Sequence, residues 1–342
     1  MEKSERIAIV VLILILVGLP AAILGYQFVL RPRLADVRTI DILAAAPETG
    51  GFQPDSIRVA AGETVRLRFS VPDVAHGIAI GPGLNLDLGQ VDPGEVREVE
   101  VTFDQPGRYV YYCNTWCSPS HWRMRGVIEV YDPADPDALV ISESAPDLVL
   151  ESLAARGVDI DAPHEAQAVP ARRPSVGQGA EVVARLGDGL PDGLADAAWR
   201  RAHSPAEAWA SLVEVGLSEA EAWDAVAHLW LGGVDAARLQ DAATLYAKNC
   251  AACHGENGDG QGPGADALEA QGMGQHDDID MVGGPAAFAE PYTMLGGAGD
   301  VYYAKLRRGG MGTGMPSFGA IFTPEETWML VDYVWTFVFE VE

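Results

Sequence analysis

Basic residues are scarce in this chain. Its 342 residues include 23 Lys and Arg against 49 Asp and Glu, a formal net charge of −26 at pH 7. A surface this negative repels nucleic acid and steers basic partners, so nucleic-acid binding leaves the candidate functions. Residues 241–342 share the bias, with four Lys/Arg and fifteen Asp/Glu, or −11. Two origins stay open, a docking face for a basic partner and adaptation to high salt. Cysteine is scarcer still, with four in the whole chain. If those four have other work, none remains for a disulfide framework or a nucleophile. Long apolar runs are also few. Ile7 to Leu30 is one, and its 24 residues at about 1.5 Å each can cross a hydrocarbon core of roughly 30 Å. One membrane span is predicted there, left uncleaved, because Ala21-Ala22-Ile23-Leu24 continues the run where a signal peptide would end in a small-residue cleavage site. Lys3 and Arg6 before it and Arg31, Arg33 and Arg38 after it give the positive-inside rule no purchase on orientation.

The cysteines fall into two tight groups. Cys113-Asn114-Thr115-Trp116-Cys117-Ser118-Pro119-Ser120-His121-Trp122-Arg123-Met124 packs two thiols, an imidazole and a thioether into one segment. Soft sulfur with imidazole favours copper over a hard cation. His76, in Val71-Pro72-Asp73-Val74-Ala75-His76-Gly77, supplies a second imidazole from an earlier segment. Alternating runs around them, such as Val65-Arg66-Leu67-Arg68-Phe69 and Val99-Glu100-Val101-Thr102-Phe103, predict short antiparallel strands. One thiolate, two histidines and a methionine would make a mononuclear site. With a second cysteine, two thiolates can bridge a pair of copper ions, each ion keeping one histidine and a weak axial ligand. Met124 serves one ion and a main-chain carbonyl, that of Thr115, the other. A Cys113–Cys117 disulfide is the competing reading, but it leaves His76, His121 and Met124 without a purpose. Zinc is disfavoured because methionine is a poor ligand for it. Tyr111, Tyr112, Trp116 and Trp122 crowd the same stretch, where packing is the ordinary role of aromatic residues.

With Gly51-Phe52-Gln53-Pro54, Asp92-Pro93-Gly94-Glu95 and Pro106-Gly107 added, residues 37 to 131 resemble the dinuclear CuA domain of haem–copper oxidase subunit II. The resemblance implies an all-β cupredoxin-like Greek-key sandwich, copper held by His76, Cys113, the Thr115 carbonyl, Cys117, His121 and Met124, and Trp116 at the face where electrons enter. Many members of that family carry a glutamate that helps hold magnesium where this chain has Thr115, which lacks that carboxylate.

The second group, Cys250-Ala251-Ala252-Cys253-His254, is the attachment signature of c-type haem, two thiols for the vinyl groups and an imidazole for the iron. Asp241 to Asn249 reads as an amphipathic helix entering the motif, and Pro324 to Phe339, with Glu325 and Glu326 in its first turn, as a closing helix. Met311 and Met315 compete as the distal ligand. Resemblance to class I cytochromes c favours Met315, since the ligand there precedes a proline in a glycine-containing loop, as Met315-Pro316 does. Haem c is attached outside the cytoplasm in such proteins, which places both cofactor regions on the periplasmic or extracellular side of the plasma membrane.

Between the sites, residues 132–179 are rich in Pro, Asp, Ala and Ser and read as a linker with one short helix near Asp147 to Ala155. Ser204-Pro205-Ala206-Glu207 and Ser218-Glu219-Ala220-Glu221 fit capping boxes and start helices near 205–215 and 219–231. Leu217 to Trp230 echoes Phe322 to Trp335, so residues 180–236 read either as ordinary amphipathic helices or as a haemless cytochrome-like unit. His164, His203 and His228 lack ligand-like companions.

The expected fold is thus multidomain: an anchor in 1–36, a cupredoxin-like sandwich in 37–131, a linker, a helical segment, and an all-α cytochrome c domain in 237–342. The order resembles subunit II of a haem–copper terminal oxidase with a fused cytochrome. That implies a single-pass subunit through which electrons enter, from an external cytochrome or small copper protein, with the catalytic site in subunit I and other membrane subunits alongside. A CuA subunit of a nitric oxide reductase and a stand-alone membrane-tethered carrier are the alternatives.

Overall fold

A computed structural model describes residues 12, 14–25, 37–84, 86–137, 147–270, 284–310 and 315–341. Within the expected span, Leu14–Gly18 form a π-helical turn and Leu19–Gly25 a short helix, α1; the rest of 7–30 lies almost wholly outside the described residues. Among the described residues no helix is long and apolar enough to cross a membrane.

Nine strands make a two-sheet sandwich: β1 Arg38–Ala44, β2 Phe52–Gln53, β3 Ser56–Ala60, β4 Thr64–Ser70, β5 His76–Gly81, β6 Leu86–Val91, β7 Val96–Thr102, β8 Gly107–Tyr112 and β9 Arg125–Tyr131. One sheet runs β2-β1-β4-β7 and the other β3-β9-β8-β5-β6. Strands β1 and β4, and β3 and β9, pair in parallel, and the remaining pairs are antiparallel. Alternation explains the layering. In β4, Val65, Leu67 and Phe69 are fully buried, while Arg66 and Arg68 face outward and pair with Glu100, Asp41 and Glu98 on the neighbouring strands. Each such inward side chain contributes about 1.5–3 kcal/mol by leaving water. Tyr111 closes the core with edge contacts to Phe52 and Phe69, and its hydroxyl donates to the Pro54 carbonyl at 2.5 Å.

Strand β5 breaks the alternation, because all six of its residues are buried. Ile78 and Ile80 point into the sandwich, whereas Ala79 belongs to a second buried cluster with Phe318, Ile321 and Phe322 from the helical half. Strand β8 divides the same way, Tyr109 and Tyr111 toward the sandwich, Val110 and Tyr112 toward the helices. A strand covered on both faces reads as a continuous apolar run, which His76-Gly77-Ile78-Ala79-Ile80-Gly81 is. The helical half therefore sits on the outer face of this sheet.

That half comprises α2 Leu148–Arg156, α3 Val176–Leu186, α4 Ala197–Ala202, α5 Pro205–Glu214, α6 Glu219–Leu231, α7 Ala236–Asn249, α8 Ala251–His254, α9 Ala265–Ala270, α10 Pro291–Met294, α11 Gly299–Arg308 and α12 Pro324–Val334. Capping boxes open α5, α6 and α12, each with the serine or threonine hydroxyl and the third-residue glutamate both engaged. The closing helix is α only to Val334, and Trp335–Phe337 tighten into a 3-10 turn. Helix α3 begins inside the stretch that composition reads as linker. It crosses α6 so closely that a Cβ on Gly179 would lie 1.8 Å from the Asp224 carbonyl oxygen. Arg173 donates to the Phe339 carbonyl at 3.0 Å, and Ser175 bridges Glu340, so this segment caps the end of the chain. The echo between α6 and α12 extends to packing, since α6 lies against α3 as α12 lies against α7.

Candidate metal centre

The turn after β8 and the start of β5 meet at one end of the sandwich. Cys113 Sγ lies 3.9 Å from Cys117 Sγ, 3.9 Å from His76 Nδ1 and 3.1 Å from the Thr115 carbonyl oxygen. Cys117 Sγ lies 3.5 Å from His121 Nδ1 and 3.9 Å from Met124 Sδ. All six groups that the sequence singles out here are thus brought together. The sulfurs stand at the separation of unbonded thiols, since a disulfide needs about 2.05 Å. Among the described residues, His76, Cys113 and Cys117 form a metal-sized group, with ligand atoms within 4.8 Å of one another. The site is dry on its inner side, because His76 and Met124 are buried.

Local sequence explains the shape. Met124 N donates to the His121 carbonyl at 3.0 Å across the 3-10 turn His121–Arg123, folding imidazole and thioether to the same side. Cys113 N donates to the Met124 carbonyl at 3.1 Å, closing the loop on itself. Glu48 accepts from Ser120 N at 2.9 Å and pins the loop from outside.

Asp73 is the residue that motif reading missed. Its Oδ1 accepts from His76 Nε2 at 3.0 Å and from Val74 N at 2.8 Å, and its Oδ2 from Ala46 N at 2.7 Å and Thr49 Oγ1 at 3.1 Å. Burial pushes this carboxyl up, but the four donors together outweigh it and hold it down at about 2. An ionised carboxylate on Nε2 leaves Nδ1 free to face the sulfurs, the usual way a ligand histidine is oriented. The available signal was a carboxylate three residues before the histidine. The two thiols are coupled: their contact lowers the Cys113 pKa and raises that of Cys117.

The second group sits on one helical turn. Cys250 and Cys253 flank the start of α8, and Tyr246 on α7 donates to the Gly255 carbonyl at 2.7 Å, fixing the loop beyond. His254 Nδ1 lies 3.0 Å from the Ala286 carbonyl oxygen, and the ring stacks on Phe288 at 4.4 Å between centroids. Burial pushes the imidazole pKa down, toward the neutral form that binds metal. Tyr246, Phe288, Tyr333 and Phe337 make a continuous aromatic wall. Met315 is half-buried against the same core, while Met311 lies outside the described residues. Of the other histidines, His164 donates to the Asp159 carbonyl and His203 to the Trp199 carbonyl, away from both groups.

Trp116 lies between the two regions. Its ring is 5.8 Å from that of His121, and on its other side a Cβ on Gly264 would meet it at 2.6 Å.

Comparison with known proteins follows the same division. Residues 239–337 match the family model for cytochrome c. Two cytochrome c oxidase subunit 2 chains of Thermus thermophilus are each 39% identical to this chain over 92 residues. The matched stretch is 27% of this chain and 64% and 52% of those two, so the chain spans less than two thirds of the relatives it matches. The periplasmic domain of subunit II of cytochrome oxidase from Bradyrhizobium japonicum aligns at 19% identity over 29% of this chain and 86% of that one, with a TM-score of 0.24. The chain is thus similar to subunit II of cytochrome c oxidase and carries, in its C-terminal part, a region that matches the cytochrome c family.

Proposed function

We propose that this chain is the electron-transfer subunit II of a haem–copper terminal oxidase, taking electrons from an external donor through haem c to dinuclear copper and on to subunit I, where oxygen is reduced. The observation that carries this reading is the convergence of two thiols, two imidazoles, a thioether and a carbonyl at one dry end of a sandwich packed directly against a haem-attachment motif.

The residues fit both groups. Two unbonded sulfurs 3.9 Å apart, with imidazole and thioether beside them, are a donor set that would hold soft copper. Cys113, Cys117, His76 and His121 would be the main ligands, with the Thr115 carbonyl and Met124 as weaker ones. On the haem side, Cys250 and Cys253 would form the thioethers, His254 would bind iron through Nε2 while Nδ1 stays on Ala286, and Met315 would be the distal ligand. When bound, both groups supply one-electron transfer, and a Met/His pair raises the haem potential.

What the protein contributes is placement. Asp73 keeps the His76 ring turned toward the sulfurs, Glu48 holds the outer turn of the loop, and apolar packing keeps water from Cys113 and Met124. No general acid, base or nucleophile in the chain takes part. Tethering raises the effective concentration of one redox region at the other, so transfer need not wait for a diffusing carrier. The subunit would sit in the plasma membrane, with the cofactor regions outside the cytoplasm.

The test is purification of the complex in mild detergent, with metal analysis and EPR. Two coppers and one haem c per chain, a mixed-valence copper signal and oxygen consumption support the reading. Fewer than two coppers in a fully loaded sample defeats it. Nitric oxide consumption without oxygen consumption assigns the chain to a reductase, and isolation as a single polypeptide with intact spectra to a free-standing carrier.

A further inference from the structure

Two polar straps join the copper-binding loop to the haem motif. Lys248, in the last turn of α7 and two residues before Cys250, pairs with Asp87 on β6. The same Asp87 oxygen accepts from Asn114 Nδ2 at 3.2 Å, and Asn114 follows Cys113 in the chain. Gly89 N, at 2.8 Å from the other oxygen, fixes the carboxylate between them. On the far side, Arg125 follows Met124 and donates from Nη1 to the Ser317 carbonyl at 2.7 Å, two residues after Met315. Its guanidinium also lies over the Phe318 ring at 5.5 Å. Each strap therefore starts beside a sulfur of the copper loop and ends within two residues of a haem-site residue.

Between the straps the surfaces touch closely enough that two glycines have no room for a side chain. Gly264, whose N–H donates to the Ala252 carbonyl at 2.7 Å between the two haem cysteines, would press any Cβ into Trp116 at 2.6 Å. Gly81 would likewise press a Cβ to 2.4 Å from the Ile321 carbonyl oxygen. Ala79 and Tyr112 complete the seam against Phe318 and Ile321.

We propose that Asp87 and Arg125 are positioning residues that clamp the haem-motif region onto the copper loop in cis, so that the half-buried Trp116 is held against Gly264 of that region as an internal contact. The purpose of the clamp rests on the reading under Proposed function. Its existence is a matter of these side chains alone. Lys248 with Asp87 orients the side of the seam at Cys113 and Cys250, and Arg125 with Ser317 orients the side at Met124 and Met315. Because each strap is short and the seam is close-packed, displacing either side moves both loops together.

The experiment is hydrogen–deuterium exchange on the full-length, haem-loaded chain, reading the stretches 113–124 and 250–264. Lys248→Glu leaves the copper loop's own bonds intact, and Arg125→Gln removes the second strap. Each single change is expected to raise exchange in both stretches about fivefold, the worth of one partly exposed ion pair or hydrogen bond, and the double change more than either. Lys248→Arg should stay near wild type. In an Asp87→Asn background, Lys248→Met should add nothing further, because its partner charge is already gone. Exchange unchanged in the Lys248→Glu/Arg125→Gln protein, or raised in only one of the two stretches, overturns the clamp. Copper EPR on the same wild-type sample separates the two ideas. A missing mixed-valence signal defeats the copper reading and leaves the exchange result to decide the clamp.

Discussion

Asp73→Ala should damage the proposed copper site without touching a candidate ligand. The carboxylate serves four donors: the His76 ring, the backbone N–H groups of Val74 and Ala46, and the Thr49 hydroxyl. Ala46 is buried, so its N–H would lose its partner with little access to water. A hydrogen bond to a charged group contributes about 1.5–3 kcal/mol, and an orphaned buried donor costs about 1–3 kcal/mol. Because the four bonds share one carboxylate they do not add, and about 3 kcal/mol of lost stability is expected for the metal-free protein. Copper affinity should fall by about 10–100-fold, the usual result when the group orienting a ligand histidine is removed. Asp73→Asn keeps one accepting oxygen and can serve only the His76 side or the Ala46 side, so it should fall between wild type and Ala on both measures. Denaturant unfolding of the metal-free chain gives the first quantity, and copper titration against a competing chelator the second. Stability within about 0.5 kcal/mol of wild type together with unchanged copper affinity would refute the reasoning.

Gly179→Val should force α3 away from the Asp224 carbonyl of α6, lowering stability by about 1–3 kcal/mol or more on thermal unfolding, whereas Gly189→Ala, in open space, should cost little. Thr323→Ala removes the hydroxyl that caps α12 at Glu326 N and should cost about 1 kcal/mol in the same assay. At Asp332, burial raises the carboxyl pKa more than Arg238 lowers it. A carboxyl raised in the folded state is stabilising while protonated, and that contribution disappears as pH rises through its folded value. Asp332→Asn should therefore flatten the decline in stability above the ordinary carboxylate range, with Arg238 still paired to Glu325; a steeper decline in the variant would contradict the sign. Cys250→Ala with Cys253→Ala should abolish covalent haem, seen as loss of haem stain after denaturing electrophoresis, while copper titration of the sandwich is unchanged.

Much of the site was legible because its chemistry is local in sequence. Cys113 to Met124 spans one loop, so spacing alone brings four of its donors within reach, and Cys250 to His254 occupies a single helical turn. The capping boxes at Ser204, Ser218 and Thr323 were readable for the same reason, since their partners lie three residues apart. The buried face of β4 followed from alternation. His76 was drawn in by the chemistry of the missing ligand, and the fold shows how: β5 and the end of β8 lie side by side in one sheet.

What sequence could not supply was anything that depends on two distant segments meeting. Asp73 as a hub needs Ala46 and Thr49 brought against it across the sandwich end. The stretch before α3 looked like linker because its prolines and charged residues lack a period, yet Arg172, Arg173 and Ser175 find Asp224, the Phe339 carbonyl and Glu340 only when the helices are assembled. Asp87, Asn114, Lys248 and Arg125 carry no motif, and they become a set only where sandwich and helices share a face. Short-range spacing wrote the candidate ligands into the sequence, because a loop or a turn fixes those distances by itself. The partners that hold them were decided by packing, because burial of β5 on both faces, and no local rule, brings those side chains together.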